Sequence, residues 1–114
     1  MKDIQVILRH YLIAVLWTEE EELSDGLSIY QVDEESRAKS LKDIKAFVEK
    51  AGDLLEEWPE EQIGHDFWLT RCGHGAGFWD RTEYENGDEL TEICKKFEFH
   101  GQVFELNGKV IIEG

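Results

Sequence analysis

Between Ile4 and Trp17 apolar side chains recur at Ile4, Ile7, Leu8, Tyr11, Leu12, Val15 and Leu16, and Ile13, Ala14 and Trp17 widen that stripe almost all round. The spacing predicts a first helix, buried at its C-terminal end. The pattern then breaks. Residues 18–31 hold Glu19, Glu20, Glu21 and Glu22 and the turn signal Ser24-Asp25-Gly26, which predicts a long acidic loop with Leu27, Ile29 and Tyr30 touching the core. Asp33 can cap a second helix that carries Leu41, Ile44, Val48, Ala51, Leu55 and Trp58 at three- and four-residue steps and stops at Pro59, with Phe47 and Leu54 broadening its buried face.

After Pro59 the helical period disappears. Residues 66–71 are rich in aromatic and β-favouring types, and Phe78-Trp79-Asp80-Arg81 follows the glycine-rich run Cys72-Gly73-His74-Gly75-Ala76-Gly77, which together predict a β-hairpin with an open tip. Asn86-Gly87 turns the chain, Asp88 can cap a third helix, and Leu90, Ile93, Cys94 and Phe97 give that helix one apolar face. A second hairpin runs from Gln102 to Leu106 and from Lys109 to Glu113 around Asn107-Gly108. A two-residue turn pairs Glu105 with Val110, Phe104 with Ile111 and Val103 with Ile112, so both faces of this hairpin carry apolar groups that need cover. The order implies an α+β fold: two N-terminal helices, a β-hairpin, a helix and a C-terminal β-hairpin, forming an antiparallel sheet of about four strands with helices packed on it.

The length, 114 residues, suits a single domain spanning 1–114. Two cysteines are too few for a disulfide framework, and the short apolar run before Glu19 resembles neither a signal peptide nor a membrane span, so the expected setting is the cytoplasm. Charge narrows the function more sharply. There are 26 acidic side chains against 12 basic ones, a net charge of −14, which excludes direct nucleic-acid binding through phosphate neutralisation and disfavours anionic membranes. Residues 19–61 hold fifteen acids against five bases. Fourteen charges correspond to about 24 Å of B-DNA at one per roughly 1.7 Å of axis. A domain of this length is about 26 Å across, so such a surface could imitate a nucleic acid toward a basic cleft on another protein.

The densest polar constellation is Gly64 to Arg81, GHDFWLTRCGHGAGFWDR. It offers His65, Cys72 and His74 as metal ligands, with Asp80 or His100 to complete four positions, although the spacing matches no standard zinc pattern. It also offers Cys72 as a nucleophile, His74 or His65 as its base and Asp66 or Asp80 as the orienting carboxylate. The glycine run lacks the Gly-Lys-Ser/Thr ending of a phosphate loop. Trp68, Phe78 and Trp79 suit core packing better than base stacking, and Arg71 and Arg81 can pair with Asp66 and Asp80 across strands. No cofactor is implied.

The segment His65-Asp66-Phe67-Trp68-Leu69-Thr70-Arg71, followed after Cys72 by Gly73-His74-Gly75-Ala76-Gly77-Phe78-Trp79-Asp80-Arg81, resembles the hallmark of an uncharacterised family of small proteins encoded by tailed bacteriophages. The likeness extends more loosely to Ala14-Val15-Leu16-Trp17, to the acidic middle and to Leu90-Thr91-Glu92-Ile93 with the last hairpin. It implies a phage or prophage origin and, by analogy, a host-directed accessory protein. The expected function is a non-enzymatic, acidic inhibitor that engages a basic site on a host protein. Its expected contacts are Glu19, Glu20, Glu21, Glu22, Asp25, Asp33, Glu34, Glu35, Glu56, Glu57, Glu60 and Glu61, with the loop around His74 as a second recognition element or a structural turn. The alternatives are a metal or thiol enzyme built on His65, Asp66, Cys72, His74 and Asp80, and a structural or assembly module, for which a homodimer would cover the second face of the last hairpin.

Overall fold

Four helices and one two-stranded antiparallel sheet make up the fold in a computed structural model that describes residues 2–114. Helix α1 spans Ile4–Thr18, α2 spans Glu34–Ala51, α3 spans Glu60–Arg71 and α4 spans Gly87–Cys94, while strands β1 and β2 span Gln102–Leu106 and Lys109–Glu113. Short 3-10 turns lie at Glu20–Glu22, Ile29–Gln31, Gly52–Leu55, Phe78–Asp80 and Lys95–Phe97. The α+β class holds. The four-stranded sheet does not, and the pair of N-terminal helices becomes three successive helices, because the segment expected as the first hairpin is α3 and a capped loop.

The reason lies in burial. Ile63, Gly64, Asp66, Phe67, Trp68, Leu69 and Arg71 are all buried, so α3 is enclosed on nearly every side and shows no apolar period in its sequence. Its aromatics read as β-favouring only because that preference reflects packing against a half-buried surface more than the backbone itself. Glu60 and Glu61 occupy the first turn after Pro59, where acids complement the positive end of the helix dipole. At the other end the Gly73 amide donates to Thr70 O at 3.1 Å and the His74 amide to Leu69 O at 3.0 Å, the paired bonds of a Schellman cap. Gly73 takes the left-handed conformation that this cap needs, at φ +72°. The glycine-rich run is therefore a helix terminator and not a hairpin tip.

Helix α1 lies along α3 in parallel: Asp3 N–H donates to the Glu60 carboxylate at 3.1 Å near their starts, and the Trp68 indole donates to Thr18 Oγ1 at 2.8 Å near their ends. A Cβ at Gly64 would be driven into the carbonyl of Ile7 and to 2.8 Å from the Tyr11 amide nitrogen, so only glycine permits this approach. Phe47 of α2 stacks on Phe67 at 4.3 Å between centroids, and Phe78 and Trp58 extend the aromatic core. Asp33 caps α2 as its sequence implied, accepting from the Ser36 amide at 3.1 Å. The helix ends at Ala51 rather than at Pro59, and a 3-10 turn carries Leu55 inward to the core. Asp88 is not the cap of α4: Asn86 takes that position in the left-handed region, and Asp88 sits in the first turn.

The last hairpin has the register set by its Asn-Gly turn, with Glu105 opposite Val110, Phe104 opposite Ile111 and Val103 opposite Ile112. Val103, Val110 and Ile112 close on the core, Val32 forms a parallel bridge to Val110, and Ser36 Oγ accepts from the Ile112 amide at 2.9 Å. Its outer face is covered only in part: Phe104 and Ile111 are half-buried and Leu106 is exposed. Leu27 and Ile29 pack on the core, but Tyr30 points to solvent. No helix among the described residues is long and apolar enough to cross a membrane.

The crossing yields a test. Gly64→Ala is expected to lose about 1–3 kcal/mol of stability to overpacking, despite the roughly 1 kcal/mol that alanine gains over glycine in helix propensity. Gly75→Ala, where an added Cβ meets nothing within 4 Å, should change little in the same urea titration.

Candidate functional site

The charged members of the GHDFWLTRCGHGAGFWDR segment are mostly consumed by structure. Asp66 is fully buried, and its carboxylate accepts two bonds from the Arg81 guanidinium, at 2.8 Å and 3.0 Å, and one from Gln62 at 2.9 Å. This fork pins the chain after the Phe78–Asp80 turn onto α3. Arg71 does not pair with Asp66 or Asp80. It donates to Tyr11 Oη at 2.9 Å, to Asp43 at 3.1 Å and to Phe97 O at 2.8 Å, with its guanidinium over the Phe67 and Phe99 rings. Four parts of the chain meet at that one cation. Trp68 and Phe78 are core residues, whereas Trp79 is partly exposed and Asp80 lies at the surface.

The chemistry proposed for Cys72 finds little support in its surroundings. Burial pushes its thiol up to about 12, with the nearby Glu19 charge acting in the same direction against Arg71, so the thiolate needed for attack is scarce at neutral pH. Of the two carboxylates expected to orient that arrangement, Asp66 already serves Arg81 and Gln62, and Asp80 is exposed. Among the described residues no three His, Cys, Asp or Glu side chains are grouped to hold a metal ion, so His65, Cys72 and His74 do not converge as a ligand set. His100 is exposed beside Glu98 at 3.7 Å.

What the fold does bring together is the acidic turn and the glycine-rich loop. A cleft of about 390 Å³ is lined by Trp17 and Thr18 at the end of α1, by Glu20 and Glu21 of the 3-10 turn that follows, by Leu69 of α3, and by His74, Gly75 and Ala76 of the loop after it. A second hollow of about 290 Å³, lined by residues that include Leu23, Asp25 and Leu27, shares Trp17 and Glu20 with it. Trp17 stands between them and is 58% exposed, contrary to the buried helix end expected from its apolar neighbours. The His65 ring lies 5.7 Å from its ring at 31°, backing the indole from one side. Ile13, one turn earlier, is also exposed, so both occupy the solvent side of α1.

The electrostatics of this corner are one-sided. Because α1 and α3 run parallel, their C-terminal ends meet here, each carrying roughly half a negative charge from its dipole. No basic residue lies in the last turn of α1, and Glu19 to Glu22 follow at once. Acids at this end of a helix are destabilising. Burial raises the Glu19 carboxyl above its ordinary range, with the Glu22 charge adding to the rise and His74 opposing it. The other acids lie elsewhere: Glu56 and Glu60 border a broad groove of about 660 Å³ with Asp53 and Lys2, near the start of α1. Glu57 and Glu61 are exposed in the same stretch, Glu34 and Glu35 are exposed in the first turn of α2, and Asp33 is occupied as its cap. The two main acidic groups therefore sit at opposite ends of α1, about 22 Å apart for fifteen residues at 1.5 Å each. The expected single acidic surface is divided.

No family model, curated protein or solved structure matches this chain.

Two outcomes follow from the buried charges. Asp66→Asn breaks a desolvated ion pair and should lower stability by about 3 kcal/mol, read by chemical denaturation, while Asp80→Asn at the surface should change it by less than about 0.5 kcal/mol. Burial holds the His65 imidazole below its ordinary value, with Arg81 and His10 adding to the depression and Asp66 opposing it. As pH falls through about 6.5 the unfolded chain gains this proton and the folded one does not, so stability declines until the folded imidazole also titrates. His65→Gln should flatten that part of the stability curve between about pH 7 and about pH 5.

Proposed function

We propose that this is a phage- or prophage-encoded accessory protein, non-enzymatic and cytoplasmic in the host, that binds a basic site on a host nucleic-acid-processing or defence protein. The observation that carries the reading is the cleft itself, where an exposed tryptophan, two helix C-termini and Glu19 to Glu22 meet on one corner. A net charge of −14 steers a cationic partner toward it over distances near a Debye length, about 8–10 Å at physiological salt. The phage origin is supported by the motif from His65 to Arg81. The acids near Glu56 and Glu60 give the partner a second anchoring region, and spaced acidic groups of this kind suit a cleft that ordinarily tracks a phosphate backbone.

The test is capture under rising salt. Bacterial lysate is passed over the immobilised protein and, in parallel, over a variant carrying Glu20→Gln, Glu21→Gln and Glu22→Gln. A nucleic-acid-binding protein retained by the first, released as salt rises to about 0.5 M, displaced by duplex DNA and lost from the variant is the expected result. Equal retention by both columns, or retention indifferent to salt, overturns the reading.

A further inference from the structure

We infer that the cleft beside Trp17 is a receptor for an arginine side chain presented by the partner. This deepens the reading above and rests on it. The indole is held on one side by His65 and exposed over more than half its surface, so it offers a flat, fixed aromatic face. Tryptophan is the strongest aromatic partner for a cation, and a planar guanidinium stacks on it while remaining less strongly hydrated than an ammonium. Glu20 and Glu21 line the same cleft and supply carboxylates with which a guanidinium can pair, and Leu69 and Ala76 supply apolar wall for the methylene stem. The C-terminus of α1, which has no base in its last turn, adds negative potential independently of the side chains, whereas Arg71 in the last turn of α3 offsets part of that helix's end.

Charge complementarity selects this occupant over others. A nucleotide base could stack on the indole, but its phosphates would meet the carboxylates and both negative helix ends. An apolar side chain would fill the walls and leave Glu20 and Glu21 desolvated without partners. The volume, about 390 Å³, is at the small end of the roughly 300–1,000 Å³ of ligand pockets, which suits one long side chain with its adjoining backbone. The exposed position of Trp17 also accounts for acids placed where they weaken α1: a corner that costs stability is retained for what it binds.

The experiment compares two short peptides that differ only in alternating arginine or lysine with glycine, titrated into the full chain by calorimetry. Wild type is expected to prefer the arginine peptide by about two- to fivefold, the range of an exposed cation–π contact. Trp17→Ala should weaken the arginine peptide more than the lysine peptide and bring the two affinities together. Glu20→Gln with Glu21→Gln should weaken both peptides, and because these side chains are exposed the variant keeps its fold and serves beside Trp17→Ala. Equal affinity for the two peptides, or an arginine preference that survives Trp17→Ala, overturns the receptor while salt-sensitive binding of both leaves the acidic-partner reading intact. Absence of binding to either peptide overturns both, and tight binding of a single-stranded oligonucleotide at Trp17 would replace the arginine with a base.

Discussion

The close parallel approach of α1 and α3 at Gly64 is the constraint on which the other features depend. Without a side chain at that position the two backbones meet nearly face to face, and Phe67 and Trp68 are then brought against Tyr11 one turn further along. The same parallel alignment carries the two helix ends to a common corner, where Thr18 accepts the Trp68 indole proton. A glycine in mid-helix sacrifices about 1 kcal/mol of propensity, and the burial it permits along both helices offsets that several times over.

Around this pair two groups of charged residues stand in contrast. Asp66, Arg71, Arg81 and Asp43 are withdrawn from solvent wholly or in part and satisfy one another or the backbone, tying the loop after Phe78, the C-terminal segment and α2 to the central helices. Every buried side-chain polar atom among the described residues has a partner. The second group, Glu19 to Glu22 with Asp25, stands largely in solvent at the negative end of α1 and serves no such network beyond local turns. The fold satisfies its interior polar groups this completely and yet gathers unfavourable charge at one corner, where acids at a helix C-terminus contribute nothing to stability.

Legibility followed the range of the interaction that decides each element. The register of β1 and β2 was readable because Asn107-Gly108 dictates it within a few residues, and the cap at Asp33 was readable for the same reason. The segment from Glu60 to Arg71 was not, since a helix enclosed on nearly every side loses the polar stripe by which helices are recognised. The glycine run after it is ambiguous locally: Gly73 serves equally as a hairpin residue or a helix cap, and the choice depends on what precedes it. For the site, the acidic turn and the motif were both visible, yet their meeting was not, and Trp17 looked like one more apolar residue in a broad stripe.

The amino-acid sequence by itself determined the α+β class, the acidic character, the last hairpin and the residues of the central motif, because each is set by composition or by chemistry within one turn of chain. Tertiary structure alone decided that Asp66 and Arg71 are structural, that Cys72 is a half-buried thiol whose ionisation burial opposes, and that Trp17 and the Glu19 turn share a cleft with His74. The shared cleft depends on residues 50 or more apart in the chain being placed together when α1 and α3 close on Gly64, and the Asp66 and Arg71 networks depend on Arg81, Phe97, Asp43 and Tyr11, 15 to 60 residues away, so no pattern within one turn of chain encodes either.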